Sequence, residues 1–268
     1  MATTDSAAGP TEEEIGWAKS IKEAVEKDDK LKSLTDFEYM AHAIVAKDKT
    51  DKALKRIERM QAFREMYDIV GDGNVEDGMQ RARAVVEAHP ELFQSIGMDS
   101  KGRSVTYWQF DKFTANKVKT PEDWKAVMGG FFYFFHALQP NIGSIREGVV
   151  WVGDCKGVGW ANFNMELEKR AGAFYSHCYP FRIKEMVMLD TPRIFSVFYG
   201  LIKVFLSKKV RSVVSMQPKA KYLETQKDVL TKDILPPSAG GTFLVDNFLT
   251  KTEELLKERF ENAASFKL

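Results

Sequence analysis

Apolar residues recur at spacings of three and four through the first quarter of the chain: Ile15, Ala18, Ile21 and Val25, then Phe37, Met40, Ala41, Ile44 and Val45, then Leu54, Ile57, Met60, Phe63, Tyr67 and Val70. That period predicts a small all-helical lobe over residues 13–75, behind a polar tail, residues 1–12, expected to be disordered. Gly71-Asp72-Gly73-Asn74 breaks the pattern, and a short helix from Glu76 to Ala88 follows. Beyond it the period alternates between two and 3.6. Val105, Tyr107 and Gln109 predict a strand, and Pro121 opens a helix running to about Leu138. Next come a strand Gly148 to Asp154, a helix Met165 to Cys178, a strand Lys184 to Asp190, a helix Pro192 to Leu206 and a strand near Val210 to Met216. A helix from Val245 to Phe260 closes the chain. Strands separated by helices imply an α/β unit over residues 76–268, its sheet mainly parallel and flanked by helices.

Two of these helices are unusually apolar. Val127-Met128-Gly129-Gly130-Phe131-Phe132-Tyr133-Phe134-Phe135 is apolar on every side, and such a helix is buried on every side. Packing between core layers explains this, as does one face lining a cavity while the other packs inward. In the second helix Ile194, Phe195, Phe198, Ile202, Phe205 and Leu206 form a wide apolar face, with Lys203, Lys208, Lys209 and Arg211 at its end. That composition suits a core helix or one that touches oil beside an anionic surface.

Composition narrows the choice by exclusion. With 39 basic and 38 acidic residues the formal charge is +1, so nothing suggests a nucleic-acid partner. Cys155 and Cys178 lack a CxxC spacing and are too few for a disulfide framework, which points to free thiols in a reducing compartment. The start MATTDSAAGPTEEE lacks the basic and apolar segments of a signal peptide, and the longest apolar run, Ala126 to Leu138, is too short to cross a bilayer. A cytoplasmic protein, monomeric and without a metal, is expected. No GxSxG elbow is present, and the four histidines, His42, His89, His136 and His177, have no short-range ligand spacing. Gly71 to Gly78 (GDGNVEDG) lacks the Lys-Ser/Thr of a phosphate loop and has Arg83 where a calcium loop needs its bidentate Glu, so it reads as a linker. Asp154, at a strand end, has no base or nucleophile near it in sequence and reads as a turn residue. The run Lys47, Lys49, Lys52, Lys55, Arg56 and Arg59 reads as a solvated helix face.

Five spaced segments, Val149 to Gly157 (VVWVGDCKG), Tyr179-Pro180-Phe181-Arg182, Met186 to Asp190 with Pro192, the apolar helix after it, and Pro236 to Gly241, resemble the CRAL-TRIO lipid-binding family, which includes the tocopherol-transfer and retinaldehyde-binding proteins. The resemblance covers roughly residues 85 to 245. It implies a CRAL-TRIO fold with a helical gate and a pocket for a small hydrophobic ligand, with no chemical step and no cofactor beyond that ligand.

Carried onto this chain, the resemblance makes Met128, Phe131, Phe132, Phe135, Val149, Trp151, Phe174, Phe181, Ile183 and Met186 wall residues, and Phe195, Phe198, Ile202 and Leu206 the inner face of the gate. Tyr107, Tyr175 and Ser176 are the candidate polar handles. Burying ~250 Å² of apolar ligand surface is worth roughly 6 kcal/mol at ~25 cal/mol per Å², so apolar walls alone can hold such a ligand. Arg182, Lys208, Lys209 and Arg211 match a basic patch that meets anionic membranes transiently. Phosphatidylinositol-binding relatives carry charge where this chain has Phe181 and Val213, and the Arg-rich run of the N-terminal lobe is replaced by Met40 to Lys47. Both departures favour a terpenoid, retinoid or other vitamin-like lipophile over phosphatidylinositol.

Overall fold

The computed structural model describes residues 9–69 and 74–268. The N-terminal lobe is three helices, α1 (Glu12–Glu26), α2 (Asp36–Ala46) and α3 (Thr50–Met66). Thr11 and Thr35 cap the first two by accepting from the amides of Glu14 and Glu38, whose carboxylates accept from the cap residues in return. Thr11 and Glu12, expected in the tail, are instead engaged in α1, and residues 1–8 lie outside the described residues. So does most of the Gly71-Asn74 break. Asn74 itself caps α4 (Val75–Ala88).

The second unit contains β1 (Gln94–Met98), β2 (Ser104–Gln109), α5 (Pro121–Ala137), α6 (Ile142–Glu147), β3 (Val149–Asp154), α7 (Met165–Ala173), β4 (Ile183–Leu189) and α8 (Arg193–Ile202). It continues through α9 (Lys208–Arg211), β5 (Val214–Gln217), α10 (Lys219–Thr225) and α11 (Asn247–Ser265). The five strands lie in sequence order, β1 antiparallel to β2 and the rest parallel. Crossovers of one hand between successive neighbours place their helices on a single face. α5, α7 and α8 therefore share the face of Trp108, Trp151, Met186 and Met188. The other face, with Tyr107, Val152 and Val187, is covered by the chain after β5, where Tyr222 and Ile234 are buried.

Three expectations need correction. The antiparallel edge strand β1 has no clear alternation in sequence and was not expected. The strand expected at Val210 to Met216 begins only at Val214, because Ser207 accepts from the amide of Val210 and starts the helical turn α9. The gate helix ends at Ile202 and continues as a 3-10 turn, Lys203–Phe205, so Leu206 is outside it.

Close helix packing supports the layer over the sheet. A Cβ at Gly129 of α5 would lie 2.2 Å from Nη1 of Arg81, whose guanidinium crosses from α4 and donates to the carbonyls of Tyr67 and Lys125. A mid-helix glycine costs about 1 kcal/mol relative to alanine, and here it lets α4 and α5 approach. The lobe docks through Phe63 of α3, whose ring sits 4.5 Å from Phe174, and through α11, where buried Arg259 stacks 4.1 Å from the Phe37 ring and donates to the Gln139 carbonyl.

Candidate functional site

The alternation of β3 turns Trp151 and Gly153 to the helix-covered face, and the parallel register brings Trp108 beside Gly153 and Met186 beside Trp151. Gly153 leaves room above the sheet: a Cβ there would lie 2.4 Å from the Phe110 ring. Phe110 stacks against Trp108, which packs in parallel on Phe131 of α5 with centroids 6.1 Å apart. Between these rings and α7 and α8 lies a cavity of about 130 Å³. A dry apolar cavity of ~150 Å³ holds a benzene-sized group, so a longer ligand requires the α8 wall to move outward.

Of the expected wall residues, Phe131, Trp151, Tyr175, Met186, Phe195, Phe198, Ile202 and Leu206 line this cavity. The others do not. Phe132, Phe135, Phe174 and Phe181 form an aromatic layer behind it, with Phe135 4.2 Å from Phe181 and 5.8 Å from Trp151, so they brace the wall from outside, and Met128 is buried in the core without reaching the cavity. Their helical period is right, but the cavity meets only the side of α5 that carries Phe131. Val149 and Ile183 pair at the start of β3 and β4, away from the cavity. Tyr107 is on the opposite face of the sheet. Its hydroxyl donates to Oδ2 of Asp154 at 2.9 Å, and Nζ of Lys219 donates to the same oxygen at 2.7 Å. Asp154 is thus one acid of a buried polar cluster rather than a plain turn residue, and its partner lies 65 residues on. Ser176 accepts at Oγ from the amide of Ser207 at 3.2 Å, fastening the end of the gate instead of facing a ligand.

Sequence reasoning missed further lining residues, among them Phe110, Phe113, Val158, Phe163, Glu168 and Trp108. The 3-10 turns and loops that carry the first four have no period to read. Tyr175 reaches the cavity because α7 widens into a π-helical turn, Phe174–Cys178, which shifts the phase of its side chains. Burial holds the Tyr175 phenol above the usual tyrosine range, and the negative charge of Glu168 adds to that.

α8 is fixed on its inner side by Phe198, whose ring lies parallel to Phe163 at 4.3 Å and edge-on to Trp160 at 5.1 Å. Its outer side is apolar and exposed: Val197, Leu201 and Val204 are 53%, 43% and 68% accessible, and Trp160 beside it is 64% accessible. Lys208, Lys209 and Arg211 are exposed past its end, with Arg182 partly so. The Lys209 ammonium is held below lysine's usual value by local desolvation and then by Arg182, Arg56, Lys184 and Lys47. Those cations therefore form one basic rim. Arg56 is not the solvated residue expected of its helix run: it is buried enough to lower its pKa, and its Nη1 has no acceptor among the described residues.

Among the described residues no cluster of His, Cys, Asp or Glu could hold a metal ion, and no helix is long and apolar enough to cross a membrane. Cys155 and Cys178 are free thiols, and burial pushes Cys178 up to about 11.

A mainly parallel sheet, helices α5, α7 and α8 over one face and an apolar cavity beneath amphipathic α8 are the frame of a lipid-binding α/β protein. The model of the CRAL/TRIO domain matches residues 91–241, and the chain belongs to that family, which is one of lipid binding and transfer. The chain is 26% identical over 120 residues to tyrosine-protein phosphatase non-receptor type 9 of Rattus norvegicus, Mus musculus and Homo sapiens. The match takes in 45% of this chain and 20% of each phosphatase, so the chain spans about a fifth of the length of these curated relatives. The crystal structure of Sfh5 superposes with a TM-score of 0.55 at 16% identity, covering 90% of this chain and 84% of that one, a likeness of fold.

Proposed function

We propose that this chain binds one small lipophile, of terpenoid, retinoid or other vitamin-like character, in the cavity under α8 and carries it between membranes without a chemical step. The observation that carries the reading is the cavity itself, walled by Trp108, Phe131, Trp151 and Phe198 beneath a helix whose outer face is exposed and apolar. Phe181 packs on Phe135 and Val213 is partly buried against the core, so neither place offers charge to an inositol phosphate. The first test is a titration with retinoids, tocopherols, carotenoids and phospholipids, read by the fluorescence of Trp108 and Trp151, which line the cavity. Saturable quenching near one-to-one is expected for a lipophile, and organic extraction with mass spectrometry identifies a bound one. No saturable quenching by any of them counts against the reading.

Release depends on α8. Phe198→Asp places a carboxylate against Phe163 and the cavity, where an isolated charge costs several kcal/mol unless it reaches water. The variant is expected to hold α8 open and raise the ligand off-rate tenfold or more while far-ultraviolet circular dichroism is unchanged. An unaltered off-rate would place the entrance elsewhere.

Membrane contact is assigned to the exposed Val197, Leu201 and Val204 together with Arg182, Lys208, Lys209 and Arg211. Each basic group near an anionic surface is worth about 1 kcal/mol, weakened by salt. Reversing Lys209 and Arg211 to Glu should slow transfer to anionic vesicles severalfold and leave affinity in solution unchanged. Equal transfer rates would remove these residues from the contact.

One observation favours a second reading, a phospholipid carrier or sensor. The acceptor-free Nη1 of Arg56, within the field of Lys209, Arg182 and Lys184, suits an acidic headgroup reaching the rim. Displacement of a fluorescent lipophile by phosphatidylinositol vesicles, abolished by Arg56→Met, would establish that reading over the first. A regulatory module without transfer activity would instead yield a monodisperse protein with nothing in the extract.

A further inference from the structure

Glu168 is the one acidic side chain among the residues that line the cavity. It belongs to the inward side of α7, one position after buried Leu167 and one turn before Ala171, which also lines the space. Its polar identity is unusual there, because the lining is otherwise largely apolar, with Phe110, Phe163, Phe198 and Leu206, and a carboxylate drawn from water into such a wall needs a donor. Among the described residues the Glu168 carboxyl has no hydrogen bond and no ion pair: the amide of Glu168 donates to the Asn164 carbonyl, and nothing donates to the side chain. The residue is half-buried, keeps some accessible surface and borders the cavity. Burial alone pushes the group up to about 7.

Tyr175 from the π-helical turn and Cys155, just past the end of β3, feel its charge, and Tyr199 of α8 borders the same cavity. None is a cation. The Tyr175 hydroxyl also makes no hydrogen bond among the described residues, and it borders the same space. An acceptor with no donor and a phenol with no partner thus meet inside an otherwise greasy wall.

Resting on the reading of this cavity as a lipid pocket, we infer that Glu168 and Tyr175 are its specificity-determining polar residues, and that the lipophile carries a hydroxyl which donates to the Glu168 carboxylate and accepts from the Tyr175 phenol. The same site rejects lipophiles with an anionic end placed there. A fatty carboxylate or a phosphate would set like charges together in a desolvated space, with no cation to relieve them.

The experiment uses the full chain and three probes with the same twelve-carbon tail: 1-dodecanol, dodecyl methyl ether and laurate, titrated against tryptophan fluorescence at pH 8. The ether keeps the apolar body and removes the donor. A hydrogen bond to a charged group in such a site supports a preference of at least about tenfold, so the parent chain should bind dodecanol tenfold or more tightly than the ether, with laurate weakest. Glu168→Leu removes the acceptor and the charge; it should bind alcohol and ether alike and should gain laurate. Glu168→Gln keeps an acceptor of the same length and should retain part of the alcohol preference while no longer rejecting laurate. An alcohol preference that persists in Glu168→Leu, or a parent chain that does not distinguish alcohol from ether, overturns the inference and leaves the pocket standing. Failure of all three probes to bind the parent and both variants overturns the pocket reading itself.

Discussion

Glu168→Gln should gain on the parent chain by about 3 kcal/mol in unfolding free energy as pH rises from 4.5 to about 8.5. The reason is that burial raises the Glu168 carboxyl from 4.5 to about 7. Below 4.5 the group is neutral whether the chain is folded or not, and its burial carries no charge penalty. As pH rises the unfolded chain releases its proton first, and the folded chain holds on until about 7. The stability contributed by the protonated acid is therefore complete below 4.5 and lost on passing through about 7. Glutamine does not titrate, so the difference between the two proteins isolates this one group from every other carboxyl and histidine. Urea unfolding of both proteins across that range measures it. Parallel stability profiles would mean that the carboxyl is solvated in the folded protein.

Lys219→Met should lower stability by about 3 to 5 kcal/mol, since removing one member of a buried ion pair leaves the other charged and unpaired. Asp154 and Lys219 are 7% and 17% exposed at their side chains, 2.7 Å apart. The Tyr107 hydroxyl remains to Asp154 in that variant, which sets the loss toward the lower figure. Adding Asp154→Asn removes the stranded charge and should recover much of the loss, as denaturant unfolding of the single and double variants would reveal. Because the cluster lies on the face of the sheet opposite the cavity, ligand affinity measured well below the melting temperature should be unchanged. A loss of affinity without a loss of stability would instead give Asp154 a part in binding.

The sequence determined more of the architecture than of the site. Helical spacing in residues 15–70 and the alternation of β2, β3 and β4 each follow from a buried face repeating at a fixed interval, and such an interval survives in the chain whatever it packs against. The five spaced motifs added the order of the elements and the family. Eight of the expected wall residues, Phe131, Trp151, Tyr175, Met186, Phe195, Phe198, Ile202 and Leu206, do border the cavity.

Only the tertiary structure decided which apolar side chains meet the space and which merely brace it. Phe131 and Phe135 are one turn apart on the same helix and equally apolar, yet one borders the cavity and the other packs on Phe181, because that choice depends on where α7 and α8 lie relative to α5. Tyr107 could not be assigned to a face until the crossovers placed α5, α7 and α8 on the opposite one. Asp154 could not be paired until α10 brought Lys219 to it. Glu168 was indistinguishable in sequence from Glu166, two positions earlier and exposed. Hydrophobic period fixes what a side chain turns away from, namely water, whereas the partner it turns toward is supplied by distant segments whose approach no local pattern encodes.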